Sequence, residues 1–229
     1  MNLQHNLNQI QQLIRQAELE SGRNAHEVLL LAASKQQSAE SIAQLYELGV
    51  RDFGENYFQE AQEKINALKD LPLCWHFIGP IQSNKAKNIA RAFNWVHSVN
   101  RLKIAQILSE NRPSNLPPLN LCLQVNLIPE ETKSGINPEE VTELALAVSQ
   151  LPHLKLKGLM TIPPPEQAPQ KQYELYMQMN QLLKTLNQKL GLNMDTLSMG
   201  MSDDLVPAIK AGATIVRIGR AIFGERAKK

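Results

Sequence analysis

Short apolar runs alternate with segments of helical spacing along the whole chain, and this alternation limits the fold more than any other feature. The runs fall at 28–35, 52–56, 74–79, 95–99, 120–127, 154–162, 196–200 and 214–219. Between them lie helical patterns near 39–48, 57–69, 83–92, 101–110, 138–150, 169–190 and 204–211. Strands separated by helices, with no linker, predict one α/β domain over residues 1–229 with a parallel sheet. An open doubly wound sheet and a closed (β/α)8 barrel both satisfy this pattern. Eight units within 229 residues favour the barrel. No GxGxxG follows the first strand, which weakens a dinucleotide-binding reading.

A further helical pattern precedes the first strand. Leu3, Leu7, Ile10 and Ile14 recur at helical spacing in "MNLQHNLNQIQQLIRQAELE", so an additional covering helix is expected there, not a signal peptide. A net charge of +2, with scattered basic residues, gives no footprint for nucleic acid. No apolar run approaches the roughly 18 residues of a membrane span. Cys74 and Cys122 lie in apolar runs without a CxxC pattern. They read as buried free thiols in a reducing cytoplasm, and no metal site is expected.

Function in parallel α/β folds gathers at the carboxyl ends of the strands. Those ends carry Lys35, Glu55, Asn56, Gly79, Asn126, Thr161, the stretch "SMGMSDD" (198–204) and Arg217. Alternate strand residues share a face, so Ala33 pairs with Lys35, and Ile215 with Arg217 and Gly219. In a barrel the first and last strands are neighbours, which puts an amine and a guanidinium at one mouth. Two like charges there call for an anion between them, and a phosphorylated ligand would meet that need. Barrels often hold phosphate on backbone N–H groups after the last strands. Gly219 and Arg220 are the expected backbone donors, with the Ser202 hydroxyl assisting. Asp203 and Asp204 count against phosphate at the preceding helix.

Each of these residues also has a plainer reading. Lys35 could be a solvated rim lysine, Arg217 a structural ion-pair residue, and Ser202 the N-cap of the helix that follows. Pro207 would make that helix start late or kink. Met199 and Met201 could wall a pocket or simply pack.

Taken together, "LLLAASK", "FGENY", "WHFIGPIQSNK", "KSG", "GLMTI", "LSMGMSDD" and "VRIGRAIFG" resemble the pyridoxal 5′-phosphate (PLP) homeostasis protein family over essentially the whole chain. The resemblance implies a barrel similar to the amino-terminal domain of alanine racemase. It implies that Lys35 carries PLP as an internal aldimine, that Arg217 faces the pyridine nitrogen, and that Ser202 with the Gly219 and Arg220 amides grips the phosphate. Asn56 would lie beside the ring.

PLP enzymes pair the ring nitrogen with Asp or Arg. An arginine, with its pKa above about 12, cannot readily supply the proton that makes the ring a strong electron sink. The racemase-like enzymes also add a second domain and a tyrosine base, and neither is expected in a chain that stops at Lys229. The resemblance therefore points to a cytoplasmic carrier without turnover, a monomer or weak dimer, with PLP-requiring apo-enzymes as candidate recipients. The alternatives are a racemase-like or decarboxylating PLP enzyme using Tyr57 or Lys133, an aldolase-type lysine acting without PLP, and an interaction protein with a vestigial pocket.

Overall fold

The computed structural model describes residues 2–128, 134–164 and 168–224. The strands are β1 (Leu29–Ala33), β2 (Asp52–Glu55), β3 (Cys74–Phe77), β4 (Trp95–Val99), β5 (Leu119–Gln124), β6 (Leu154–Met160), β7 (Thr196–Ser198) and β8 (Ile215–Ile218). They pair parallel in chain order, and β8 returns to β1 with Leu31 opposite Arg217. The sheet is a closed barrel, as expected, and the open alternative is excluded.

Side-chain alternation sorts the strands onto two cores. Leu31, Ala33, Ile78 and Ile215 pack inside the barrel with Leu29 and Trp95. Their neighbours Ala32, Phe77, Val216 and Ile218 belong to the larger layer between sheet and helices.

The outer ring consists of α1 (Leu3–Glu20), α2 (Ala39–Glu47), α3 (Phe58–Ala67), α4 (Ser83–Ala92), α5 (Leu102–Asn111), α6 (Val141–Ser149), α7 (Pro169–Leu190), α8 (Leu205–Lys210) and α9 (Arg220–Phe223). Local signals set their limits. Ser38 caps α2 by accepting the Ser41 N–H. Helix α7 opens on Pro169 and stops at Gly191, whose φ of 64° suits a residue without a Cβ.

The predicted covering helix has a larger part than addition implies. Helix α9 has 4 residues, about 6 Å of length at 1.5 Å per residue, too little to cover β8. Helix α1 packs on α8 and α9 instead, with Leu7, Ile10, Ile14 and Ala17 buried. Asn6 Nδ2 also donates to the Ile222 carbonyl at 2.9 Å. The first helix thus fills the place of the eighth ring helix.

Every strand but β4 ends earlier than its apolar run suggests, and at β7 and β1 this bears on the site. Strand β7 stops at Ser198 because Gly200 turns to φ 92°. Strand β1 stops at Ala33, which moves Lys35 off the ladder. Among the described residues no helix is long and apolar enough to cross a membrane.

Candidate functional site

Lys35 lies in a turn, not at a strand end, so the expected face-sharing with Ala33 does not apply. The Gln37 N–H donates to the Ser34 carbonyl at 3.0 Å, and Gln36 between them takes φ 63°. Positive φ at this third position is what a type II turn requires, and it is strained for a residue with a side chain.

A buried network holds the strain from both flanks of Lys35. Lys64, on α3, donates to the Ser34 carbonyl at 2.7 Å, to Glu55 Oε1 at 2.8 Å and to Glu60 Oε1 at 2.6 Å. The Ser34 hydroxyl donates to Glu55 Oε1 at 2.6 Å, and Glu60 Oε1 accepts the Gln36 N–H. Glu55 is fully buried, and burial pushes its carboxyl above the usual range while Lys64 and Ser34 pull the other way. Sequence inspection finds neither Lys64 nor Glu60, because their roles depend on how α3 is rotated against β2.

Across the mouth, β8 turns Arg217 into the barrel. Its Nη1 donates to Ser198 Oγ and its Nη2 to the Thr161 carbonyl, each at 2.9 Å. Arg217 is 5% exposed, and both these partners are neutral oxygens. Among the described residues no carboxylate lies within ion-pair distance of it, which removes the structural ion-pair reading. Burial draws its pKa below the ordinary guanidinium value. Two of the five guanidinium N–H groups are used by these bonds, and Arg217 is among the residues lining the mouth cavity.

The third corner lies where β8 runs into α9. Gly219 is the residue before the helix, and the Ala221 N–H points at Ser202 Oγ, 3.4 Å away. Ser202 is therefore not the N-cap of α8, the helix that follows it. Asp204 stands at that position, and its carboxylate accepts the Met201 N–H at 2.5 Å and the Tyr176 O–H at 2.8 Å. Pro207 falls third in α8, where its missing N–H would have had no partner in the helix anyway. Asp203 forms an exposed ion pair with the Arg220 side chain. The two aspartates expected to repel an anion are thus already engaged, and Arg220 offers this corner its backbone more than its guanidinium.

Asn56 follows β2 and is held by close backbone contact. A Cβ on Gly79 would lie 2.2 Å from the Asn56 carbonyl oxygen. The Gly79 carbonyl in turn accepts the Ser98 hydroxyl at 2.5 Å. Gly79→Ala is expected to cost about 1–3 kcal/mol by overpacking and to displace Asn56, as urea unfolding would report.

These corners enclose one cavity of about 510 Å³ whose lining includes Lys35, Asn56, Ser202, Arg217, Gly219 and Arg220. All six residues singled out in the sequence therefore meet. Ile162 and Met201 supply its apolar wall, whereas Met199 is buried in the core. Tyr57 is 58% exposed and does not line the cavity. Lys133 lies outside the described residues.

A family profile described as alanine racemase, N-terminal domain, matches residues 1–227. The pyridoxal phosphate homeostasis protein of Pseudomonas aeruginosa is 55% identical over 221 residues, covering 96% of this chain and 94% of that protein. The chain belongs to this family.

The Escherichia coli K12 member of the pyridoxal phosphate homeostasis family is 48% identical over 225 residues, covering 97% of this chain and 96% of its own. PipY of Synechococcus elongatus, solved with PLP bound, superposes with a TM-score of 0.85 at 35% identity, covering 97% of this chain and 100% of its own. Alanine racemase of Corynebacterium glutamicum shares the fold at 17% identity, with a TM-score of 0.70 over 98% of this chain and 60% of its own. For this member of the homeostasis family, the sequence reading missed the Ala221 amide and the Lys64 network. It also passed over His76 and His97, although both occupy inward positions in mid-strand. A polar residue at such a position was the available signal.

Proposed function

We propose that this chain is a PLP-binding homeostasis protein that holds its ligand covalently at Lys35 and does not turn it over. The observation that carries the reading is one cavity combining a lysine, a buried arginine bonded, among the described residues, to neutral oxygens, and a hydroxyl beside backbone donors. This donor set suits an anionic ligand, and the cavity volume lies within the range of small-molecule sites. The PLP-bound relative supports the choice of anion. When bound, PLP supplies an aldehyde with which an amine can condense, with loss of water.

The chain's own residues have separable tasks in this reading. The Ser34–Gln37 turn sets Lys35 at the cavity wall, where its amine can meet the aldehyde. Ser202 and the Gly219 and Arg220 amides, joined by Ala221, bind the phosphate. Asn56 borders the ring. Arg217 would face the pyridine nitrogen, and because an arginine does not readily supply a proton there, loss of a substrate's α-proton would be disfavoured. We place the protein in the reducing cytoplasm, in keeping with its two free thiols, as a single functional unit that passes PLP to apo-enzymes.

The test is the absorption spectrum of purified protein with added PLP, followed by borohydride reduction and peptide mapping. A reducible visible band mapping to Lys35 is expected, and a spectrum identical to free PLP would overturn the reading. Pyridoxal, lacking the phosphate, should bind at least about tenfold more weakly, since each charge-assisted bond contributes about 1.5–3 kcal/mol. Incubation with alanine in deuterium oxide should give negligible α-exchange. Rapid exchange would restore the racemase-like alternative.

A further inference from the structure

Arg217 is also the end of a hydrogen-bonded column running through the barrel. Ser198 Oγ, which accepts from Arg217, lies 2.7 Å from His97 Nδ1. His97 Nε2 lies 2.9 Å from His76 Nδ1, and His76 Nε2 lies 2.9 Å from Asp52 Oδ1. Asp52 begins β2, at the end of the barrel opposite the cavity, and its side chain is 19% exposed. Both histidines and Ser198 are fully buried. The Trp95 ring stacks on His76 at 5.6 Å and 8°, and Cys74 Sγ lies 3.3 Å from His76 Nε2.

The direction of the column follows from its ends. A carboxylate can only accept, so His76 gives Asp52 its Nε2–H. Burial lowers the pKa of both rings, at His76 against the opposing pull of Asp52 and at His97 with His76 and Arg217 adding to it, so both are neutral at pH 7. Neutral His76 then has a bare Nδ1, which must accept from His97 Nε2–H. His97 in turn has a bare Nδ1 and accepts the Ser198 O–H. The Ser198 oxygen is left facing the guanidinium as an acceptor. Every dipole in the column turns its negative end toward Arg217 and its positive end toward Asp52. The column thus solvates a buried cation that, among the described residues, has no carboxylate within ion-pair distance.

We infer that Ser198, His97, His76 and Asp52 are positioning residues: a one-directional hydrogen-bond relay through the barrel that fixes how Arg217 addresses the ligand and couples the cavity to a carboxylate at the opposite end. The ligand half of this inference rests on the PLP reading above. The relay itself does not.

The relay is tested on the full chain without PLP, by long-range proton–nitrogen NMR of ¹⁵N-histidine-labelled protein at pH 7. His76 and His97 should both be neutral and in the Nε2–H form. Either ring charged, or in the Nδ1–H form, would overturn the relay. Asp52→Ala removes the terminal acceptor and should convert both rings together to mixed tautomers. With PLP added, this variant should also shift the visible band, although Asp52 does not line the cavity. Unchanged histidine resonances together with an unchanged band would refute the inference.

Ser198→Ala should weaken PLP binding by roughly tenfold or more, the loss expected for a hydrogen bond to a charged group. Ser198→Thr should restore it, because the hydroxyl is retained, and failure of this rescue would count against the relay. Circular dichroism checks that each variant is folded. The two readings fail separately. Correct tautomers in a protein that does not bind PLP would sink the proposed function alone, and wrong tautomers in a PLP-binding protein would sink the relay alone.

Discussion

Lys35→Ala is expected to abolish the visible band of the PLP-treated protein and to leave borohydride nothing to reduce, while circular dichroism remains that of the unmodified chain. The separation of effects follows from how the turn is built. The bonds that hold it run to the Ser34 carbonyl, the Ser34 hydroxyl and the Gln36 N–H. These three bonds are made by Lys64, Ser34 and the Gln36 N–H, so they remain in place when the Lys35 amine is removed. Residual PLP affinity should persist through the phosphate corner, detectable as quenching of protein fluorescence by a ligand that dialysis removes. A band that survives in the variant would assign the linkage to another lysine, with Lys133 the first to examine.

Lys64→Met is expected to produce the largest loss of stability. Lys64 is almost fully buried between Glu55 and Glu60, with side-chain exposures of 7%, 0% and 28% in that order. Removing one partner of a buried ion pair costs about 3–5 kcal/mol, because the remaining charge loses its compensation. Here the Ser34 carbonyl and a second carboxylate lose their donor as well.

The pH dependence has a definite sign. Burial already raises the Glu55 carboxyl, and Lys64 is the first of the influences opposing that rise. Without Lys64 the folded-state pKa climbs further. Stability linked to a raised carboxyl is present below its unfolded-state pKa and is lost as pH rises through the folded value. The deficit of Lys64→Met should therefore be greatest at pH 8 and shrink toward pH 5, as read from urea midpoints. Equal deficits at the two pH values would show that Glu55 is not the group responsible. The variant should also form the PLP linkage more slowly, since the strained Gln36 would be released.

The sequence carries the fold and the cavity in different ways. Alternation of apolar runs and helical spacing places every strand, because a strand buried on both faces must be apolar and its crossover helix must be amphipathic. It also places Arg217, whose parity with Ile215 survives the strand to its end. The same parity fails for Lys35, since the chain leaves the ladder at Ala33 and no glycine marks the turn. Gln36 takes φ 63° only because Glu60 and Lys64, from a later helix, hold its neighbours. A constraint of this kind has no local sequence signature. At Ser202 it is the plainer N-cap reading that fails. Ser-Asp-Asp is a sound capping pattern, but Tyr176 and the Met201 amide compete for Asp204, and the hydroxyl is left to face α9.

The seating of α1 against α8 and α9 has a consequence for how the protein is made. Asn6 and Ile222 are 216 positions apart, yet they meet beside Gly219 and Arg220, the corner proposed to take the phosphate. During synthesis the first helix leaves the ribosome long before its partners exist, and its apolar stripe has nothing native to cover. The pairing of β8 with β1 waits equally long. Local βα units can form as they emerge, but ring closure is a contact of nearly maximal sequence separation, the kind that slows folding. The ligand site straddles that seam. In the proposed reading, a nascent chain would have no complete PLP site until its last strand has docked.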